Sequence, residues 1–79
     1  MNNLFVLYCD IVLRGVKDKV TIGASYTLEN TADMLFEVKK EWLKKYDKAT
    51  TTYKYIAGKN SVMFKKDKDN YVKWYITQE

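Results

Sequence analysis

Hydrophobic and polar positions change their period several times along the chain, and each change marks an element. Over 4–13 the odd positions Phe5, Leu7, Cys9, Ile11 and Leu13 are all apolar. The even positions Leu4, Val6, Tyr8 and Val12 are largely apolar too, with Asp10 the one interruption. A strand that is apolar on both faces belongs in the interior of a sheet. Residues 14–18, Arg14-Gly15-Val16-Lys17-Asp18, read as the hairpin connection that follows it. Over 19–28 the alternation is clean, with Val20, Ile22, Ala24, Tyr26 and Leu28 on one side. Lys19, Thr21, Gly23, Ser25 and Thr27 occupy the other, as in a half-buried strand.

The period then lengthens to that of a helix, predicted over 31–48 with Asn30 or Thr31 as its cap. Leu35, Val38, Trp42, Tyr46 and Ala49 fall on one arc, flanked by Met34, Phe36 and Leu43. Asp33, Glu37, Lys40, Glu41, Lys44 and Lys48 take the opposite side, and Glu41 stands four residues before Lys45. The acids lie early and the lysines late, as the helix dipole favours. The arc of Leu35, Val38 and Trp42 is expected to pack on Phe5, Leu7, Ile11, Val20, Ile22 and Trp74.

Three more strands are predicted over 50–57, 61–65 and 71–77. Gly58-Lys59-Asn60 turns the first pair, and the charged run Lys66-Asp67-Lys68-Asp69-Asn70 turns the second. The expected fold is α+β: one amphipathic helix on a mainly antiparallel five-stranded sheet, element order ββαβββ. A right-handed crossover and an interior first strand are both satisfied by the strand orders 2-1-3-4-5 and 2-1-5-4-3. In either, the helix covers one face of the sheet and leaves the other open.

Length confines this to a single domain, residues 1–79. With 47% hydrophobic and 15% aromatic residues the chain is of the folded class. Charge is unevenly spread. Residues 1–38 carry three basic side chains against five acids, and residues 39–79 carry eleven against five. The molecule is therefore polar along its length, with the basic excess in its second half.

The chemical vocabulary is narrow. There is no histidine and a single cysteine, and no glycine-rich phosphate loop. Cys9 has no imidazole to activate it, and its position between Leu7 and Ile11 reads as a buried thiol. Asp67 and Asp69 start like a calcium loop, but Tyr71 and Lys73 stand where the next ligands would be. No metal, cofactor or catalytic group is expected. A lone cysteine makes no internal disulfide, the apolar start lacks a basic leader, and no apolar run reaches ~18 residues. The expectation is a cytoplasmic protein with no membrane partner.

What remains is a surface of tyrosines and lysines. Tyr71, Lys73 and Tyr75 share one side of the last strand, opposite Val72, Trp74 and Ile76. Tyr53 and Tyr55 flank Lys54 in the third strand, with their direction undecided, and Tyr8 lies on the even side of the first. Tyrosine forms strands well and lysine keeps surfaces soluble, which would produce this pattern without a target. The same residues also make protein interfaces, where tyrosine is enriched, and platforms for single-stranded nucleic acid. The reading is a non-enzymatic protein-binding module using Tyr8, Tyr53, Tyr55, Tyr71, Lys73 and Tyr75. Its size and lysine-rich composition are those of inhibitors of host or defence machinery carried by phages and mobile elements, an analogy of size and composition. The apolar even side of the first strand adds an expectation of self-association. Nucleic-acid binding ranks second, because the chain has one arginine and ten interspersed acids.

Overall fold

The computed structural model describes residues 3–45 and 52–79. Among them are β1 (Phe5–Leu13), β2 (Val16–Ser25), α1 (Leu28–Lys45), β3 (Lys54–Ala57), β4 (Ser61–Asp67) and β5 (Asn70–Gln78). The strands form one sheet in the order β2-β1-β5-β4-β3, with every neighbouring pair antiparallel. Of the two orders the sequence allows, this is the one that seats β5 beside β1. The fold is α+β with the element order ββαβββ. The expected last turn of the helix, with Tyr46, Lys48 and Ala49, lies outside the described residues.

The interior place of β1 follows from its two apolar faces. Leu7 and Cys9 look toward α1, where they join Leu35, Val62, Phe64 and Trp74 in the buried cluster. Val6 and Val12 are also buried, at 4% and 5% exposure, although they point to the other face. The core is largely aromatic at one end. Trp74 sits 5.0 Å from Trp42 and meets Phe64 edge to face at 6.1 Å, and Phe64 lies 5.4 Å from Tyr55. Such pairs add to the burial of area itself.

The hairpin between β1 and β2 is tighter than the predicted five-residue connection. Arg14 and Gly15 alone make the turn, with φ of 52° and 81°. Two successive positive φ values are those of a type I′ turn, whose twist matches that of the flanking strands. Val16, Lys17 and Asp18 belong to β2 instead. The turn is tied to the far hairpin: Arg14 N–H donates to Asn70 Oδ1 at 3.1 Å, and Gly15 N–H to the Asp69 carbonyl at 3.0 Å. The β4–β5 turn is likewise two residues, Lys68 and Asp69. Asp67 accepts there from the Asp69 N–H at 2.8 Å and the Asn70 side-chain amide at 3.0 Å.

The clean alternation expected of β2 is broken. Leu7 pairs with Gly23 and Tyr8 with Thr21, so Ile22 is the additional residue of a β-bulge. Beyond it the faces exchange, and Gly23 and Ser25 lie on the helix side. A Cβ on Gly23 would sit 2.9 Å from the sulfur of Met34, so the helix approaches as closely as glycine permits. Val20 and Ile22, expected beneath the helix, are 43% and 45% exposed, because β2 is the sheet edge and α1 meets it at Gly23 and Ser25.

The helix begins three residues earlier than predicted. Thr27 is the cap, its Oγ1 accepting from the Asn30 N–H at 3.2 Å. Thr31, offered by the sequence as a cap, is instead fully buried. Its Oγ1 lies 3.2 Å from the Phe5 carbonyl, 3.2 Å from the Thr27 carbonyl and 2.7 Å from Ser25 Oγ. Leu35 is buried and Val38 half-buried, but Trp42 keeps 43% of its surface exposed. Glu41 pairs with Lys44 at 3.7 Å, one residue short of the expected partner Lys45.

Candidate functional site

The two-residue turn at Arg14-Gly15 fixes the register of the first hairpin, and that register assembles the open face. It sets Lys19 opposite Asp10 and Lys17 opposite Val12. On the other flank β5 sets Tyr75 opposite Tyr8, Lys73 opposite Asp10, and Tyr71 opposite Val12. β4 then adds Met63 beside Lys73 and Lys65 beside Tyr71, and β3 adds Lys54 beside Lys65. Residues paired across a sheet share a face. All these side chains therefore stand on the side away from α1.

The centre of this face is internally bonded. Asp10 is 6% exposed, a carboxylate set in an otherwise apolar strand. Lys17 Nζ approaches its Oδ2 to 3.4 Å, and the Tyr75 hydroxyl donates to its Oδ1 at 3.1 Å. A buried charge needs such partners. The Tyr8 hydroxyl donates to Glu79 Oε1 at 2.7 Å, and its ring lies 5.8 Å from that of Tyr75. Lys19 Nζ stands 4.0 Å over the Tyr8 ring and Lys73 Nζ 5.6 Å from the Tyr75 ring centre. Val6 and Val12 share this face but are themselves buried, so it presents rings and ammonium groups and not the apolar strip expected of β1.

Four of the six predicted residues, Tyr8, Tyr71, Lys73 and Tyr75, are brought together here. Tyr53 and Tyr55 are not. Both pack against the core cluster on the helix side, and Lys54 between them faces the open side. The Tyr55 hydroxyl is buried with no hydrogen-bond partner among the described residues. Lys17 and Lys19 are the contributors that sequence reasoning missed, whereas Asp10 already stood out as the one acid in an apolar strand and finds its lysine in Lys17. The signal was available in the Arg14-Gly15 turn, because a two-residue loop dictates which residues face each other.

Protonation reflects these surroundings. Burial, then the bond to Asp10, raises the Tyr75 hydroxyl above its ordinary value. The bond to Glu79, then burial, raises Tyr8. On the opposite side of β1 burial pushes the Cys9 thiol up to about 11, with the Asp10 charge adding to it. All three shifts favour the protonated form in the folded state. Their stabilisation is complete below the ordinary values of 9.0 and 10.0 and is lost as pH rises through the shifted ones. A melting series from neutral pH upward is expected to decline from about pH 9 in the native protein. In Cys9→Ala the decline should begin only where the tyrosines titrate. Superimposable profiles would show that the thiol proton is not linked to folding.

Comparison with protein-family models, with curated proteins and with solved structures gave no match to this chain. Among the described residues no helix is long and apolar enough to cross a membrane, and no three His, Cys, Asp or Glu side chains are grouped to hold a metal ion.

Proposed function

We propose that this chain is a non-enzymatic, cytoplasmic protein-binding module that docks its open sheet face on a protein target, in the manner of a small inhibitor carried by a phage or mobile element. The observation that carries the reading is the uncovered face on which Tyr8, Tyr71, Lys73 and Tyr75 converge, with Tyr75 fixed by Asp10 and Tyr8 by Glu79. Rings held in place before binding lose little freedom on docking, and tyrosine buries much area per rotatable bond. Lys17, Lys19, Lys54, Lys65 and Lys73 give the face a basic character, and the charge of Asp10 is already spent on Lys17. A self-associated form, the other docking arrangement proposed, would bring these lysines together across a two-fold axis. The favoured target is accordingly a protein surface rich in acids.

The same lysines support a second reading, that the face binds nucleic acid by stacking bases on its tyrosines. Fluorescence anisotropy with labelled single- and double-stranded oligonucleotides at two salt concentrations separates the two. The protein-docking reading predicts weak, sequence-independent binding that vanishes at the higher salt. Tight binding that survives the higher salt and falls in Tyr71→Ala and Tyr75→Ala would establish the nucleic-acid reading in its place.

A further inference from the structure

The helix lies over β1, β2, β5 and β4 and leaves β3 uncovered at the end of the sheet. A cleft of about 180 Å³ opens between the flank of α1 and the β3–β4 hairpin, with Phe36, Lys39, Tyr55, Ala57, Lys59 and Val62 among its walls. Phe36 and Lys39 also line a second hollow of about 330 Å³ that runs on along the helix past Lys40 and Leu43. The two form one trough with Phe36 at its middle. Ala32, Phe36, Lys39 and Leu43 recur at helical spacing, so the trough follows a second apolar flank of α1 distinct from the core arc. Phe36 is 58% exposed and Leu43 37%, a large apolar surface left in water.

Two further observations say what fits. First, among the described residues no carboxylate lines either hollow, whereas Lys39, Lys40, Lys44 and Lys59 do. Of these only Lys44 has an ion pair with a described residue, and Lys39 rests 5.8 Å from the Tyr55 ring centre. Second, β3 ends the sheet, so its outer edge has no strand partner among the described residues. An unpaired edge is a template for an added strand. The side chains of that strand on the helix side would enter the trough beside Tyr55 and Ala57, and those on the other side would meet Lys54. A second copy of this chain is a poor occupant, because its own edges carry Lys17 and Lys19 on β2 and Lys54 on β3.

We propose that the β3 edge and the adjoining trough form a second docking site, on the side of the sheet opposite the tyrosine face, that takes an extended acidic peptide with alternating apolar side chains. Backbone hydrogen bonds to Lys54–Ala57 hold the peptide, its apolar residues cover Phe36 and Ala57, its carboxylates on the opposite side meet Lys54, and the lysines of the rim draw its net negative charge.

The test titrates a blocked peptide of alternating Glu and Val into nitrogen-15-labelled protein, with the Lys and Val counterpart as control. Amide shifts are expected at Lys54–Ala57 and at Phe36 and Lys39 with the acidic peptide alone. Lys39→Glu combined with Lys59→Glu, the first half-buried and the second exposed, should weaken it at least roughly tenfold. Lys73→Glu on the open face should leave its affinity unchanged, which keeps this site's success or failure separate from that of the tyrosine face. Shifts confined to 71–77, equal binding of the two peptides, no response at β3, or equal sensitivity to Lys73→Glu would each overturn the proposal.

Discussion

Trp74→Ala is expected to leave the protein largely unfolded at moderate denaturant, with a loss of ~3–5 kcal/mol. A domain of this length is stable by only on the order of 4–12 kcal/mol, so the change removes much of the total. Trp74 is 3% exposed and lies in the middle of the sheet, between β1 and β4, against Trp42 and Phe64. Truncation opens a cavity that β-sheet backbone on either side cannot collapse to fill. Trp42 touches the same cluster but is 43% exposed, so Trp42→Ala should cost no more than about half as much. Urea denaturation of the two variants measures the contrast. Equal losses, or a larger one at Trp42, would contradict the placement of α1 over the aromatic end of the core.

The second large effect belongs to a residue with no charge and no ring. Thr31 is fully buried where α1 starts, and its hydroxyl joins the helix to the beginning of β1 and the end of β2. Thr31→Val preserves shape and increases hydrophobicity, yet it takes a partner from the Phe5 carbonyl and from Ser25. Leaving such groups unsatisfied costs about 1–3 kcal/mol. Thr31→Ser keeps the hydroxyl and removes a methyl group, at a cost nearer ~1 kcal/mol. The valine variant should therefore melt below the serine variant. The reverse order would mean that the hydroxyl network contributes nothing and that only packing matters at this position.

Elements whose pattern arises within the segment were legible from the chain. The two apolar faces of β1 put it inside the sheet, the 3.6-residue period of Leu35, Val38 and Trp42 gave the helix, and Val72, Trp74 and Ile76 gave the buried side of β5. Features that depend on a neighbour were not. Nothing local marks Ile22 as the bulged residue, since Gly23 and Ser25 fit the polar side of an unbroken strand until Met34 and Thr31 are placed against them. Asn30 and Thr31 are both good caps, and Thr27 is chosen because Thr31 is drawn into the interior. Arginine seldom adopts positive φ, which made a longer loop the natural reading of Arg14-Gly15. For the candidate site, Tyr71, Lys73 and Tyr75 were readable as a face from alternation alone. Tyr53 and Tyr55 were not, because a four-residue strand alternates equally well in either sense and only the pairing of Tyr55 with Phe64 decides. Asp10 stood out as a polar residue in an apolar strand, but its meaning lies in Lys17 and Tyr75, which reach it from two other strands.

The central claim is that the tyrosine face, and not the chain at large, engages a protein target. Quantitative capture from nuclease-treated extract of the native host measures this directly, with three immobilised forms compared: the native protein, Tyr71→Ala combined with Lys73→Glu, and Lys39→Glu combined with Lys59→Glu. The substitutions leave the buried cluster of Leu7, Val62, Phe64 and Trp74 untouched, so all three should fold. The account predicts an acidic protein retained by the native form and by the helix-side variant, and lost from the open-face variant by a factor of roughly thirty or more, as for a binding hot spot of ~2 kcal/mol or above. Equal retention of the same proteins by all three forms would contradict it.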